Sequence, residues 1–326
     1  MVARRSIAVI GGGIAGLTAA YVLQRICEVS LFEADDRLGG HARTHDVTPH
    51  DGRVLTVDTG FAVHSERTDP TLVRLFRELG VSTQDCELSM SVRCEGCGLE
   101  YAAARGTAGL LPTPRTLLRP RYLRLLTEIP AFRAAARRLL AAGGQSPLTL
   151  GEFLAIKGFS RYFVTHFMTP LVSCVWPCAP QSVQHYPARS LFRFLDRHGL
   201  LSLTGSPTGR TVAGGSHEYV RRIGKQLTAV HTSAPVRAVH RFPDGADVVT
   251  DDGVTRRFDA VVVAVHPDQA LRLLAGPTAA ERTVLGAFRY SRNPAVLHTD
   301  ASLLPRSQSA RASWNYLMPS CRSSAD

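Results

Sequence analysis

One glycine spacing near the start constrains the fold more than any other feature. Ser6–Ile10 is a short, β-branched apolar run that reads as a buried strand, and Leu17–Leu23 is an Ala/Leu-rich run that reads as a helix. Between them stands Gly11-x-Gly13-x-x-Gly16. The first glycine permits a tight turn, the second lets backbone approach a pyrophosphate, and the third lets helix pack close to strand. The free N–H groups and positive dipole at the helix start then face the phosphates.

Gly-rich turns are common, so the surroundings decide. Val29–Phe32 reads as a second strand, and it runs into Glu33 at about the 20-residue interval where an acid holds an adenosine ribose. Just beyond, Arg37-Leu38-Gly39-Gly40-His41-Ala42 adds a second glycine pair, for which a nicotinamide dehydrogenase has no regular need. The fold class is α/β, and 326 residues suffice for two domains or one large unit.

Composition narrows the partners. With 44% hydrophobic and 20% charged residues the chain is ordinarily globular. A formal charge of +11 invites a nucleic-acid reading, yet only Lys157 and Lys225 are lysine, and the arginines are dispersed along the whole chain. Dispersed arginine resembles a coding bias rather than a phosphate-binding face, and no RRM, KH or zinc-finger signature accompanies it, so no nucleic-acid partner is expected. The start does not read as a signal peptide, and no run of 18 apolar residues exists to span a membrane. The seven cysteines (Cys27, Cys86, Cys94, Cys97, Cys174, Cys178 and Cys321) are an odd number without a secretory signal, which fits reduced thiols in a cytoplasm.

Along the chain, Arg53–His64 reads as strand and turn, and Thr71–Leu79 as a helix ended by Gly80. Residues 88–104 read as a hairpin turning at Glu95-Gly96. Its Cys94-x-x-Cys97 is half a zinc site by spacing, but the next pair, Cys174 and Cys178, is spaced differently, so the expectation is two thiols flanking a turn and no metal. His166, His185 and His198 likewise lack metal-ligand spacing. The Leu/Arg/Pro-rich stretch 110–142 ends in a helix expected from Ala131 to Ala142. An ordinary amphipathic helix is the first reading, and peripheral contact with an anionic membrane is the alternative. Gly143–Pro147 reads as a loop, and Thr149 with Glu152 as a capping box. The aromatic-rich stretch 158–197 fits either an apolar substrate cavity or plain core packing. The chain then returns to a nucleotide-type pattern: Gly205-Ser206-Pro207, Thr211–Ser216, a helix from His217 to Leu227, a hairpin at Asp251-Asp252-Gly253, and Ala260–Val265, apolar throughout and expected as a central parallel strand.

The Gly11–Gly16 loop, Glu33 and the Gly39-Gly40 pair together resemble the FAD-binding start of the flavin amine oxidase and phytoene desaturase superfamily. Val57-Asp58-Thr59-Gly60-Phe61 is similar to the segment that runs beside the flavin there, and Val236 matches the position whose backbone meets the adenine. The resemblance implies a Rossmann-like FAD-binding domain, with a parallel sheet and an inserted α+β substrate domain. It divides the chain into FAD-binding segments 1–87 and 205–275, a substrate domain over 88–204, and substrate strands with a tail over 276–326. It implies FAD contacts at Gly11, Gly13, Ile14, Ala15, Gly16, Glu33, Ala34, Arg37, Gly40, His41, Ala42, Gly60 and Val236.

Further stretches, among them Tyr186-Pro187-Ala188-Arg189, Leu297-His298-Thr299-Asp300 and Ala312-Ser313-Trp314-Asn315-Tyr316, are similar to one bacterial branch of NAD/FAD-binding oxidoreductases often encoded beside cyclopropane fatty acid synthases. That branch usually has Trp where Gly209 stands and commonly Asn at Ser65, and it continues well beyond Tyr316. The chain therefore resembles a C-terminally truncated member, with Met318–Asp326 as a polar tail. The resemblance implies an FAD-dependent oxidoreductase that removes hydride from a small-molecule or lipid-like substrate. A flavin-dependent isomerase and a non-catalytic nucleotide-binding fragment are the alternatives. Because such chemistry belongs to the flavin, no catalytic residue is expected to stand out. His64, next to the segment expected beside the flavin, is the least weak candidate, with a structural histidine as the first reading there.

Overall fold

The computed structural model describes residues 4–48, 52–60, 63–144, 147–176, 180–201 and 209–321. Phe61, the loop residues Gln145 and Ser146, Cys178, Gly205-Ser206-Pro207 and the tail 322–326 lie outside the described residues. In chain order the first elements are β1 (Ser6–Ile10), α1 (Ile14–Leu23), β2 (Glu28–Phe32), β3 (Thr44–Val47), β4 (Leu55–Asp58), α2 (Pro70–Leu79) and β5 (Thr83–Cys86). Next come β6 (Met90–Cys94), β7 (Leu99–Ala102), α3 (Gly106–Leu110), α4 (Pro120–Ala141), α5 (Leu150–Ile156), α6 (Arg161–Phe163), α7 (Thr169–Val175) and α8 (Ala188–Arg197). The chain continues through β8 (Gly209–Val212), α9 (His217–Gly224), β9 (Ala229–His231), β10 (Val236–Phe242), β11 (Gly245–Thr250), β12 (Thr255–Phe258) and β13 (Ala260–Val263). It closes with α10 (Pro267–Leu273), α11 (Ala279–Gly286) and β14 (Trp314–Met318).

Two units divide these elements. The first takes residues 1–84 and 210–292, the second 85–209 and 293–326. Residues 276–292 thus group with the first unit, where Arg241 pairs with Glu281 of α11 at 2.5 Å.

In the first unit a parallel sheet runs in the order β13-β1-β2-β9. Strand alternation sorts its two faces. Ile7, Val9, Val29 and Leu31 bury against Leu17 and Tyr21 of α1, Phe76 of α2 and Tyr219 and Ile223 of α9. Ala8, Ile10 and Phe32 bury on the other side against Val239, Val248 and Phe258 of the antiparallel sheet β10-β11-β12. β1 is apolar on both faces because both of its faces are covered. Of Ala260–Val265, expected as a central strand, Ala260–Val263 forms β13, which pairs with β1 from Ile7↔Ala260 to Ile10↔Val263 and stands at the edge of this sheet among the described residues. Its Val261, Val262 and Val263 are only half-buried. An unbroken apolar run alone therefore does not fix how many strand neighbours a strand has.

The second unit has its own core. Tyr122, Leu125, Ile129, Phe132 and Ala136, spaced three and four apart on α4, form one buried stripe. That stripe explains why α4 runs unbroken through Pro130 as a single helix, where the sequence places a helix start at Ala131. Phe132, Phe153 and Phe192 meet edge to face at 4.8 to 5.4 Å. The aromatic stretch therefore resolves as core: Phe163 and Phe192 are fully buried among these rings. Truncating one such ring to Ala costs about 3–5 kcal/mol.

Two features of this unit recur below. β6 and β7 form the expected hairpin, and β14 lies parallel on β6, with Met318 opposite Cys94. Between α6 and α7, Val164–Met168 forms a π-turn. Pro170 has no N–H to give to the carbonyl four residues back, that of His166. The Tyr101 hydroxyl donates to that carbonyl instead, at 2.7 Å in a buried setting.

Candidate nucleotide-binding site

The first unit assembles a glycine cradle from two loops. Gly11, at φ +105°, follows β1, and a Cβ there would stand 2.5 Å from the Ala264 carbonyl oxygen. A Cβ on Gly16 would stand 1.8 Å from the Gly11 carbonyl oxygen, so only glycine lets α1 pack this close to the turn. Gly13 differs. A Cβ on it would meet nothing within 4 Å, so that backbone faces open space. Gly13 is also the N-cap of α1, and no side chain caps the helix there. The first N–H groups of α1 are thus left for a ligand, with the dipole behind them. Ile14 and Ala15, in that first turn, are exposed.

The second glycine pair locks against the first. Gly39 donates its N–H to the Gly12 carbonyl at 2.8 Å, and Gly13 and Gly39 form a parallel bridge. A Cβ on Gly40 would stand 3.1 Å from Gly13 Cα. Arg37 holds this loop from inside, donating to the carbonyls of Gly40 at 2.9 Å and of Leu38 and Ala42 at 3.3 Å. Arg37 is thereby a brace of the loop. Gly40 and His41 are exposed and Ala42 is buried. Gly60 belongs to the same neighbourhood, since a Cβ there would stand 1.9 Å from the His41 carbonyl oxygen.

Glu33 lies at the centre. Its carboxylate accepts from the Gly12 N–H at 2.5 Å and from the Asp35 N–H at 2.9 Å. Ala34 beside it is exposed. The incoming chain from β9 is zipped to this acid: Glu33 N–H donates to the His231 carbonyl at 2.8 Å, and Ala234 N–H donates to the Glu33 carbonyl at 2.9 Å. That ladder leads directly to Val236, half-buried against the Ala8, Ile10 and Phe32 core.

Asp58 joins two sequence motifs. Its carboxylate accepts from the Ser216 N–H at 3.0 Å, from the Ser216 hydroxyl at 2.8 Å and from the Thr44 hydroxyl at 2.6 Å. Thr44 Oγ1 accepts in turn from the His217 N–H at 3.0 Å. One half-buried acid therefore caps the start of α9. His64, the catalytic candidate, is 3% exposed, edge-on to Phe76 at 5.2 Å, and bridged through its backbone to Arg210. Burial holds its imidazole below the ordinary histidine range, and its Nδ1 finds no hydrogen-bond partner. This environment is that of a core residue.

In the second unit the hairpin thiols are not a pair by themselves. Ligand atoms of Cys94, Cys97, His166 and Cys321 all lie within 4.8 Å of one another. The sequence reading, which looked to Cys174 and Cys178, missed this set because its members come together only through β14 and the π-turn. No helix among the described residues is long and apolar enough to cross a membrane.

A parallel sheet, an uncapped helix start and a paired glycine cradle define a Rossmann-type nucleotide-binding protein. The model of a family described as flavin containing amine oxidoreductase matches residues 14–297, and the chain belongs to that family. The chain is 27% identical over 309 residues to a coproporphyrinogen III oxidase of Mycobacterium leprae (strain TN), covering 87% of this chain and 64% of that protein. It is 26% identical over 296 residues to a carotenoid phi-ring synthase of Streptomyces griseus, covering 83% and 54%. It thus spans less than two thirds of either relative. Among solved structures, cyclohexylamine oxidase from Brevibacterium oxydans IH-35A shares the fold with a TM-score of 0.64 and 19% identity, over 87% of this chain and 63% of that one.

Proposed function

We propose that this chain binds FAD through its ADP end and serves an FAD-dependent oxidoreductase. The observation that carries the reading is the docking of the two glycine loops, joined at Gly13 and Gly39 and pinned to Glu33. The residues fit a dinucleotide. Gly13 leaves room for a pyrophosphate, and Gly11 and Gly16 shape the turn behind it. The α1 N–H groups at Ile14 and Ala15 supply donors, and Glu33 retains acceptor capacity for a ribose. Gly40, His41 and Ala42 form the second wall, braced by Arg37, with Gly60 against it, and Val236 offers backbone at the adenine end.

When bound, flavin supplies hydride-accepting chemistry. The chain's own part is to hold the phosphates, orient the ribose and keep the cradle rigid. The substrate in this reading is a small organic molecule with an oxidisable C–H bond; a lipid-like molecule is the variant of that reading, and the cytoplasm is the setting. Spectroscopy on the purified chain tests it: flavin absorbance that follows the protein through gel filtration, and FAD-induced thermal stabilisation, are the expected results. Equal, weak binding of ADP and FAD points instead to a nucleotide-binding fragment. Consumption of an added electron acceptor during turnover separates an oxidoreductase from an isomerase.

A further inference from the structure

We propose that Cys94, Cys97, His166 and Cys321 form a closed tetrahedral zinc site in the second unit.

The site is built from three separate elements. Cys94 ends β6, and Cys97 follows the Glu95-Gly96 turn, directly before Gly98 at φ +65°. This is a tight knuckle, whose left-handed glycine lets the chain reverse after the second thiol. β14 delivers the third thiol. Its register sets Met318 opposite Cys94, and the Glu95 N–H donates to the Met318 carbonyl at 2.9 Å. The chain beyond Met318 then passes over the turn, and a Cβ on Gly96 would stand 2.7 Å from the Cys321 nitrogen. Gly96 is therefore what admits Cys321. The fourth member, His166, is 1% exposed and sits in the π-turn just ahead of Pro170. Such turns recur at functional sites.

The spacing is that of a metal's ligands. With Zn–S near 2.3 Å and Zn–N near 2.0 Å, a tetrahedron has edges of about 3.8 Å between sulfurs and about 3.5 Å between sulfur and nitrogen. Cys94 Sγ lies 3.6 Å from Cys321 Sγ, and Cys97 Sγ lies 3.6 Å from His166 Nε2. The histidine is oriented from behind. Its Nδ1 lies 3.2 Å from the Tyr162 carbonyl oxygen, which fixes the proton on Nδ1 and turns the Nε2 lone pair toward the thiols. Tyr162 stacks on the imidazole with centroids 3.9 Å apart.

Arg119 donates to the Cys97 carbonyl at 2.6 Å. A cavity of about 590 Å³ reaches Cys97, His166 and Cys321 between Arg119, Arg121 and Arg161, and gives a path of entry. Three soft sulfurs with one imidazole in tetrahedral array select zinc over hard cations. Four protein ligands leave no open position, so the site is structural: it clips β14 and the π-turn to the β6–β7 knuckle. A Cys94–Cys321 disulfide is the rival chemistry, and it accounts for neither Cys97 nor His166.

The test is metal analysis of the full chain purified under reducing conditions without chelator. Stoichiometric zinc is expected, released by a thiol-blocking mercurial and retained in Cys27→Ser. Cys321→Ser and His166→Asn should each lose it at least tenfold more readily to a chelator. Reconstituting the unsubstituted protein with cobalt gives a readout independent of any variant's folding. The strong ligand-field bands of tetrahedral cobalt and a thiolate charge-transfer band are expected. Metal-free protein that gives no such bands overturns the proposal, as does a Cys94–Cys321 disulfide in protein isolated without reductant.

Discussion

Gly12 donates its N–H to the Glu33 carboxylate at 2.5 Å, so the acid ending β2 is fastened to the glycine loop that follows β1. The Asp35 N–H occupies the other oxygen, and each oxygen keeps a lone pair for a further donor. Glu33 thus shapes the cradle and faces its contents. Glu33→Ala is expected to weaken both ADP and FAD binding by about 10- to 100-fold, the equivalent of a charge-assisted hydrogen bond of roughly 1.5–3 kcal/mol. Calorimetric titration measures it. An unchanged affinity would place the nucleotide elsewhere.

Gly13 and Gly16 separate binding from folding. Gly16→Ala drives a Cβ into the Gly11 carbonyl and is expected to destabilise the chain by about 1–3 kcal/mol or more through backbone displacement. Gly13→Ala places a methyl in open space on extended backbone at φ −72°, so the melting temperature should hold while nucleotide affinity falls. Thermal melts with and without FAD distinguish the two.

Asp58→Ala removes the acceptor shared by Ser216 and Thr44. The orphaned donors at the start of α9 predict a loss of about 1–3 kcal/mol, read as a lower denaturation midpoint at unchanged slope. Asp58→Asn retains one acceptor oxygen and should recover part of it.

His64 makes stability pH-dependent. Its folded imidazole titrates below the unfolded one, chiefly through burial. Above the ordinary histidine pKa both states are neutral and the contribution is whole. As pH falls below about 6.5 the unfolded chain takes up its proton first, so stability declines. His64→Gln should flatten that part of the slope between about pH 7 and pH 5, measured by urea denaturation.

Local physics made the β1-α1-β2 core readable. Its strands, turn glycines and acid lie within one short stretch, and the helix ending at Gly80 and the Thr149–Glu152 capping box follow from equally local rules. Non-local pairing hid the rest. The edge position of β13 depends on which strands lack a second partner, and α4 passes Pro130 because a buried stripe outweighs one missing hydrogen bond. Cys94 and Cys321 meet across 227 positions through a strand register, and Cys97 meets His166 across 69 through a π-turn. The Cys-x-x-Cys-Gly knuckle was the one local sign of that cluster.

The most direct measurement is a calorimetric titration of the purified full chain with FAD and, separately, with ADP. Saturable binding of both, with FAD the tighter and Gly13→Ala weakening each in a chain that melts normally, is the expected result. A well-folded chain that binds neither ligand would contradict the assignment of the Gly11–Gly16 cradle and Glu33 as a nucleotide site.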